Sequence, residues 1–239
     1  MRTENPNSYH ESLNEALLTA QKSSFTRRGL FSRSAKVAAG GAVAALAGPA
    51  VFGYQSAMAQ AFAGPVDVLN FALTLEHLEA AFYRDFNAEF GNDDFTAAGF
   101  GENVFGRFQT FEAHEAIHVV ALVDTINSLG GTPVGEAMYD FGVTDVASYV
   151  ATAQVLENLG VGAYTGAAQF LIEEDALLTA AITIQGIEAR HASYLNLING
   201  DVPFPDAFEP ALTPEEVLAA AGPLIVGSMP DTGDGSSLD

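Results

Sequence analysis

A glutamate, a tyrosine seven residues later and then an E-x-x-H motif follow one another twice along this chain. The first copy contains Glu76, Tyr83 and the motif from Glu115 to His118, and the second contains Glu157, Tyr164 and the motif from Glu188 to His191. Residues three apart on a helix point to the same side, so each motif presents a carboxylate and an imidazole together. The single glutamates interrupt long apolar stretches, where a buried carboxylate without a partner is strongly unfavourable. The pattern therefore predicts helices that surround a charged centre.

Metal cations are the expected partners of these groups. One glutamate from each of two helices and an E-x-x-H motif from each of two others form the ligand set of dinuclear carboxylate sites. Oxygen and nitrogen ligands together suit iron and manganese, and zinc fits the same ligands. The predicted metal ligands are Glu76, Glu115, His118, Glu157, Glu188 and His191. Glu79 is the alternative ligand from the first helix, but the seven-residue gap to the tyrosine, matched in both copies, favours Glu76.

Apolar periodicity and stop signals predict four long helices. They cover about residues 67–89, with Pro65 at the helix start, then 102–129, 145–170 and 173–199. The segment 91–101, rich in Gly, Asn and Asp, separates the first two helices, and 130–144 separates the second from the third. One long crossover between two antiparallel helix pairs is the connectivity of ferritin-like bundles.

The predicted fold is therefore an all-α, ferritin-like four-helix bundle over residues 60–200, with a long crossover between its second and third helices. A C-terminal extension over 201–239 should contain one short helix, capped by Thr213 and with Pro214 in its first turn. Its polar, Gly-rich tail from Met229 to Asp239 is expected to be mobile.

The first 59 residues predict an export signal rather than part of the domain. Twin arginines at Arg27 and Arg28 precede a short apolar run over residues 37–51 and the small-residue site Ala57-Met58-Ala59. This order indicates the twin-arginine route with cleavage after Ala59, and hence a periplasmic or secreted protein. No stable membrane association is expected after cleavage.

Composition excludes several partners and chemistries. Residues 60–239 contain 27 acidic residues, three arginines and no lysine, so their surface should repel nucleic acid and anionic lipid. Cysteine is absent, which excludes disulfides and thiolate ligands. A homo-oligomer remains compatible with the sequence.

The motifs resemble those of the ferritin-like superfamily, and more closely its exported members that include desiccation-related proteins. The resemblance rests on residues 75–83, 115–118, 156–164 and 188–191, and it covers about residues 65–200. It implies that Glu115 and Glu188 bridge two metal ions, that Glu76 and Glu157 are terminal ligands and that each histidine binds one ion. It also implies that Tyr83 and Tyr164 hydrogen-bond the ligand carboxylates and orient them.

The superfamily includes ferroxidases, peroxidases, manganese catalases, oxygenases and members without known activity, so the fold does not specify one reaction. The expected function is redox chemistry with O2 or peroxide at a di-iron or di-manganese centre, with no separate catalytic acid or base identifiable. The alternative is a non-catalytic bundle that metal ions staple or whose acidic surface protects against desiccation. A ferritin-type storage cage is disfavoured by the long loop before the second helix and by the C-terminal extension.

The string from His114 to His118 is also the H-E-x-x-H signature of zinc metalloproteases. The extended form of that motif fails, because Ala121 and Asp124 occupy its Gly and His positions. A zinc hydrolase would also leave the second E-x-x-H motif unexplained. His77 and His114 point about 100° away from the neighbouring ligands, which predicts either surface positions or contacts that support those ligands.

Overall fold

The computed structural model describes residues 62–228. The predicted export signal and the tail from Met229 to Asp239 lie outside the described residues. Within them the chain forms α1 (Pro65–Glu89), α2 (Asn92–Ala97), α3 (Val104–Ser128), β1 (Ala137–Tyr139), α4 (Val146–Ala167), α5 (Asp175–Ile198), α6 (Pro214–Ala221) and β2 (Ile225–Ser228). None of the helices in 62–228 is long and apolar enough to cross a membrane.

The four long helices form the bundle, with α1 packed mainly on α3 and α4 mainly on α5. The pairs are antiparallel. Tyr83 near the end of α1 contacts Phe108 and Phe111 near the start of α3, with ring centroids 5.9 and 5.7 Å apart. The expected all-α four-helix bundle is confirmed.

Helix ends agree with the predicted signals to within a few residues. Pro65 occupies the first turn of α1, and the Asp145 carboxylate caps α4 by accepting a hydrogen bond from the Ser148 amide at 2.7 Å. The predicted third helix extends to residue 170, whereas α4 ends at Ala167 and tightens into a 3-10 turn over Ala168–Leu171. Such tightening is common where a helix terminates.

The two loops contain elements that periodicity did not predict. Helix α2 lies in the segment expected to be irregular and buries Phe95, but six residues are too few for an apolar period to appear. Strand β1 lies in the crossover and pairs antiparallel with β2 of the C-terminal extension. Each strand depends on a partner about 90 residues away in sequence, so neither has a local signature.

The extension packs on the bundle through α4. Thr213 caps α6 by accepting a hydrogen bond from the Glu216 amide, as predicted. The Leu212 amide donates to the Gly162 carbonyl at 3.0 Å, and a side chain at Gly166 would collide with the Leu212 backbone. Glycines in α4 therefore permit the extension to lie directly on the helix.

Candidate metal centre

Four glutamates meet in the middle of the bundle, one from each long helix. Each has an exposed fraction of 0%. Helix α1 provides Glu76, α3 provides Glu115, α4 provides Glu157 and α5 provides Glu188. Each glutamate lies on the apolar face that its helix buries, so its carboxylate points into the core of the bundle. His118 and His191, one turn after the glutamates of α3 and α5, are also buried.

The six side chains form two groups whose potential ligand atoms lie within 4.8 Å of one another. Glu76 and His118 belong to one group, and Glu157 and His191 belong to the other. Glu115 and Glu188 belong to both. The structure thus brings the six predicted ligands together, with the two E-x-x-H glutamates placed between two positions that could each hold a cation.

Both histidines turn Nδ1 toward the carboxylates. His118 Nδ1 lies 3.0 Å from a Glu115 oxygen and 3.2 Å from oxygens of Glu76 and Glu188. His191 Nδ1 lies 3.1 Å from oxygens of Glu115 and Glu157. One N–H group cannot satisfy three carboxylates, so the convergence of these atoms is explained better by a cation than by hydrogen bonds alone.

Several carboxylate oxygens have no hydrogen-bond partner among the described residues. These atoms are Glu76 Oε2, Glu115 Oε1 and both oxygens of Glu188. Some of them lie near a histidine nitrogen, but without hydrogen-bond geometry. A buried polar atom without a partner costs about 1 to 3 kcal/mol, and more when it is charged. The donor set and its orphaned oxygens therefore fit divalent metal ions.

The charges in the cluster shift one another's pKa values. Burial, reinforced by repulsion between carboxylates, raises the pKa of Glu76, Glu157 and Glu188 well above the usual carboxyl value. Burial opposes ionisation of Glu115 too, but its close contacts with the nitrogens of both histidines outweigh burial and lower that pKa to about 2. Burial disfavours charged His118, yet its three carboxylate neighbours raise its pKa to about 12. Without a metal, the cluster therefore retains protons that a bound cation would displace.

The two repeated tyrosines hydrogen-bond carboxylates of the opposite half of the repeat. The Tyr83 hydroxyl of α1 donates to Glu157 of α4 at 2.6 Å, and the Tyr164 hydroxyl of α4 donates to Glu76 of α1 at 2.5 Å. Each tyrosine orients the single glutamate from the other half, because α1 and α4 are antiparallel. The spacing of residues along one helix could not predict that each tyrosine contacts the glutamate of the other helix.

Glu79 is a fifth buried carboxylate, with an exposed fraction of 3%. It belongs to neither group of converging atoms, whereas Glu76 does. A Cβ atom at Gly160 would lie 3.1 Å from Glu79 Oε1 and 3.4 Å from Glu188 Oε2. The missing side chain of Gly160 therefore leaves room for the Glu79 carboxylate beside the cluster.

Two further histidines within residues 62–228 lie outside the cluster of ligand atoms. His114 Nδ1 lies 2.9 Å from His191 Nε2, with the rings stacked at 9°. His77 Nε2 lies 3.1 Å from the Val134 carbonyl of the crossover. His114 turns toward the outer nitrogen of His191 and does not join the cluster of ligand atoms, which differs from the convergence expected of an H-E-x-x-H zinc site. The sequence left its role open because the contact crosses from α3 to α5.

The antiparallel bundle and its inward-facing carboxylates and imidazoles define a class of helical proteins in which facing helices build a metal-binding core. The family model described as "Ferritin-like domain" matches residues 64–201, and the chain belongs to this family. No curated protein shows significant similarity to the chain. Its buried cluster of glutamates and histidines could hold metal ions.

Proposed function

We propose that this protein is exported, binds two iron or manganese ions in the bundle core and uses them for redox chemistry with O2 or peroxide. The observation that supports this function best is that Glu115 and Glu188 belong to both groups of converging ligand atoms. A carboxylate has two oxygens and can bind a different ion with each. Six ligands arranged in this way are suited to a pair of ions rather than to one.

The residues divide between the two ions as follows. Glu76 and His118 would hold the first ion, Glu157 and His191 would hold the second, and Glu115 and Glu188 would bridge them. Iron or manganese fits this mixture of oxygen and nitrogen ligands, and zinc fits it without redox use. Bound in the reduced state, the pair would supply two electrons, which with two protons from solvent are enough to reduce O2 to hydrogen peroxide or hydrogen peroxide to water.

The protein's own groups orient the ligands and keep the site dry. Tyr83 and Tyr164 each donate a hydrogen bond that restricts rotation of a single glutamate. His114 positions the ring of His191 by contacting its outer nitrogen. All four ligand carboxylates are shielded from solvent, so water competes little for the cations.

Export is supported by the sequence pattern alone. The twin arginines, the short apolar run and the Ala57-Met58-Ala59 site predict release into the periplasm or the medium after cleavage. Replacing Arg27 and Arg28 by lysine should retain the protein in the cytoplasm. Cell fractionation measures this, and equal export of the variant would refute the twin-arginine route.

A second candidate is a non-catalytic role in which the ions only staple the bundle, as in a stress- or desiccation-protective protein. Four buried carboxylates with two imidazoles are an unstable core unless cations neutralise them, and the strongly acidic chain over 60–239 suits a protective surface. A chelator should then lower the melting temperature greatly while no oxidant is consumed.

Metal content tests the proposal. Protein purified without chelator is compared by mass spectrometry with a Glu157→Ala/His191→Ala variant and with Glu173→Ala/Glu174→Ala, which removes two exposed carboxylates. We expect two iron or manganese ions per chain in the wild type and the surface variant, with loss in the core variant. Little metal in the wild type would refute the metal centre. Two ions without consumption of O2 or peroxide would favour the stapling role.

A further inference from the structure

An apolar pocket lies beside the metal centre at one end of the bundle. All four long helices line it, and its volume is about 50 Å³. Ala72 precedes Glu76 by four residues, and Ile184 precedes Glu188 by four. Because four residues are about one helical turn, or roughly 5.4 Å, the pocket is stacked on the cluster along the bundle axis. The lining also includes Leu69, Leu122, Tyr164, Leu171 and Ala181.

The pocket opens to solvent between α3 and α5. Ala121 of α3 and Ala180 of α5 line it and are exposed, whereas Leu69 and Leu171 form a buried floor. The same two helices touch nearer their other ends, where His114 meets His191. The helices therefore close over one side of the cluster and leave an entrance on the other.

The pocket offers little to a polar ligand. Its two side-chain hydroxyls are already used, since Thr125 donates to the Ala121 carbonyl at 2.7 Å and Tyr164 donates to Glu76 at 2.5 Å. Water needs two to four polar partners to be held in such a space. Hydrogen peroxide has the same need, whereas an apolar molecule has none.

A comparison of the two halves of the internal repeat explains why the pocket lies at this end of the bundle. Phe108 and Phe111 precede the first E-x-x-H glutamate by seven and four residues, and Ala181 and Ile184 precede the second by the same distances. The two phenylalanines are buried in an aromatic cluster that fills the opposite end of the bundle. Smaller side chains at the equivalent positions leave the pocket hollow.

We propose that this pocket admits dioxygen, a small apolar molecule, to the metal centre, and that O2 rather than peroxide is therefore the oxidant. Only the second part of this inference, the identity of the oxidant, rests on the proposed redox function. Dry apolar cavities of roughly 150 Å³ bind benzene or xenon, so a pocket a third as large suits a diatomic molecule. Tyr164 both lines the pocket and donates a hydrogen bond to Glu76, so the pocket and the cluster share this residue.

Xenon is the probe for the pocket, because it is apolar and requires no metal or redox step. Crystals of the metal-free protein under xenon pressure should show xenon between Leu69, Ala72 and Tyr164. The Ala181→Phe variant, which copies the aromatic residue of the opposite end, should lose this xenon. Ala176→Phe places the same ring on an exposed position of α5 and should keep it. Absence of xenon from the wild type, or its retention in Ala181→Phe, would overturn the assignment of the pocket.

Ferrous oxidation tests the role of the pocket in iron-loaded protein. Ala181→Phe with unchanged iron content should oxidise ferrous iron several-fold more slowly with O2 and at the wild-type rate with peroxide. Ala180→Leu, an exposed substitution at the entrance, repeats the test without altering the buried core. Equal rates with O2, or equal slowing with both oxidants, would overturn the entry role. A wild type that reacts with neither oxidant would refute the redox function, while the xenon result would still decide the pocket.

Discussion

Replacing Gly166 by alanine should destabilise the protein, although alanine is the better helix former. Gly166 lies inside α4, where the substitution by itself gains about 1 kcal/mol. The new Cβ atom, however, would lie 1.8 Å from the Leu212 carbonyl oxygen and 2.8 Å from its carbonyl carbon. These are backbone atoms, so no rotamer change relieves the collision and the extension must move away from the helix.

The structure gives the size of the effect. Moving the extension exposes the Leu212 side chain, which is 6% exposed in the native fold, at a cost of about 1.5 to 3 kcal/mol. It also breaks the hydrogen bond from the Leu212 amide to the Gly162 carbonyl, which is worth about 0.5 to 1.5 kcal/mol. After the gain in helix propensity is subtracted, the free energy of unfolding should fall by about 1 to 3.5 kcal/mol.

Gly186→Ala is the matched control. Gly186 lies inside α5, and its nearest neighbour for a new Cβ atom is the flexible Arg190 side chain at 3.5 Å. The same substitution there should stabilise the protein by about 0.5 to 1 kcal/mol. Urea unfolding of both metal-free variants measures the two changes. Equal stabilisation by the two substitutions would refute the reasoning, because it would mean that the extension does not press on α4.

Two further predictions concern the core. Burial and the surrounding carboxylates raise the pKa of Glu79 well above its usual value, so the folded state retains a proton that the unfolded chain loses near pH 4.5. Stability of the metal-free protein should therefore fall as pH rises above about 5, and Glu79→Gln should reduce the slope by up to one proton, about 1.4 kcal/mol per pH unit. Urea unfolding across this range measures the slope, and an unchanged slope in the variant would contradict the buried protonated state. If His191 binds a metal ion as proposed, His114→Ala should weaken binding of that ion about tenfold, because the outer ring nitrogen of His191 loses its partner. Chelator competition measures the affinity, with His77→Ala, which contacts the crossover, as the control; equal affinities in the two variants would exclude a positioning role for His114.

The helices and the membership of the cluster were predictable from the sequence because both depend on local periodicity. A residue pair three apart on a helix shares one face wherever the helix lies, so Glu115 with His118 and Glu188 with His191 needed no tertiary information. A glutamate such as Glu157 in an otherwise apolar stretch required a buried partner. These arguments place six side chains inward without specifying which helix faces which.

Contacts between segments far apart in sequence were decided only by the tertiary structure. The helix-forming cost of Gly160, Gly162 and Gly166 was visible in the sequence, but their neighbours were not. Gly160 makes room for Glu79, whereas Gly162 and Gly166 receive the C-terminal extension. The pairing of β1 with β2 and the crossed tyrosine bonds likewise join distant segments. A helix's sequence specifies the face that it buries, but the atoms that meet that face depend on how the antiparallel helices dock, and docking is a property of the whole bundle.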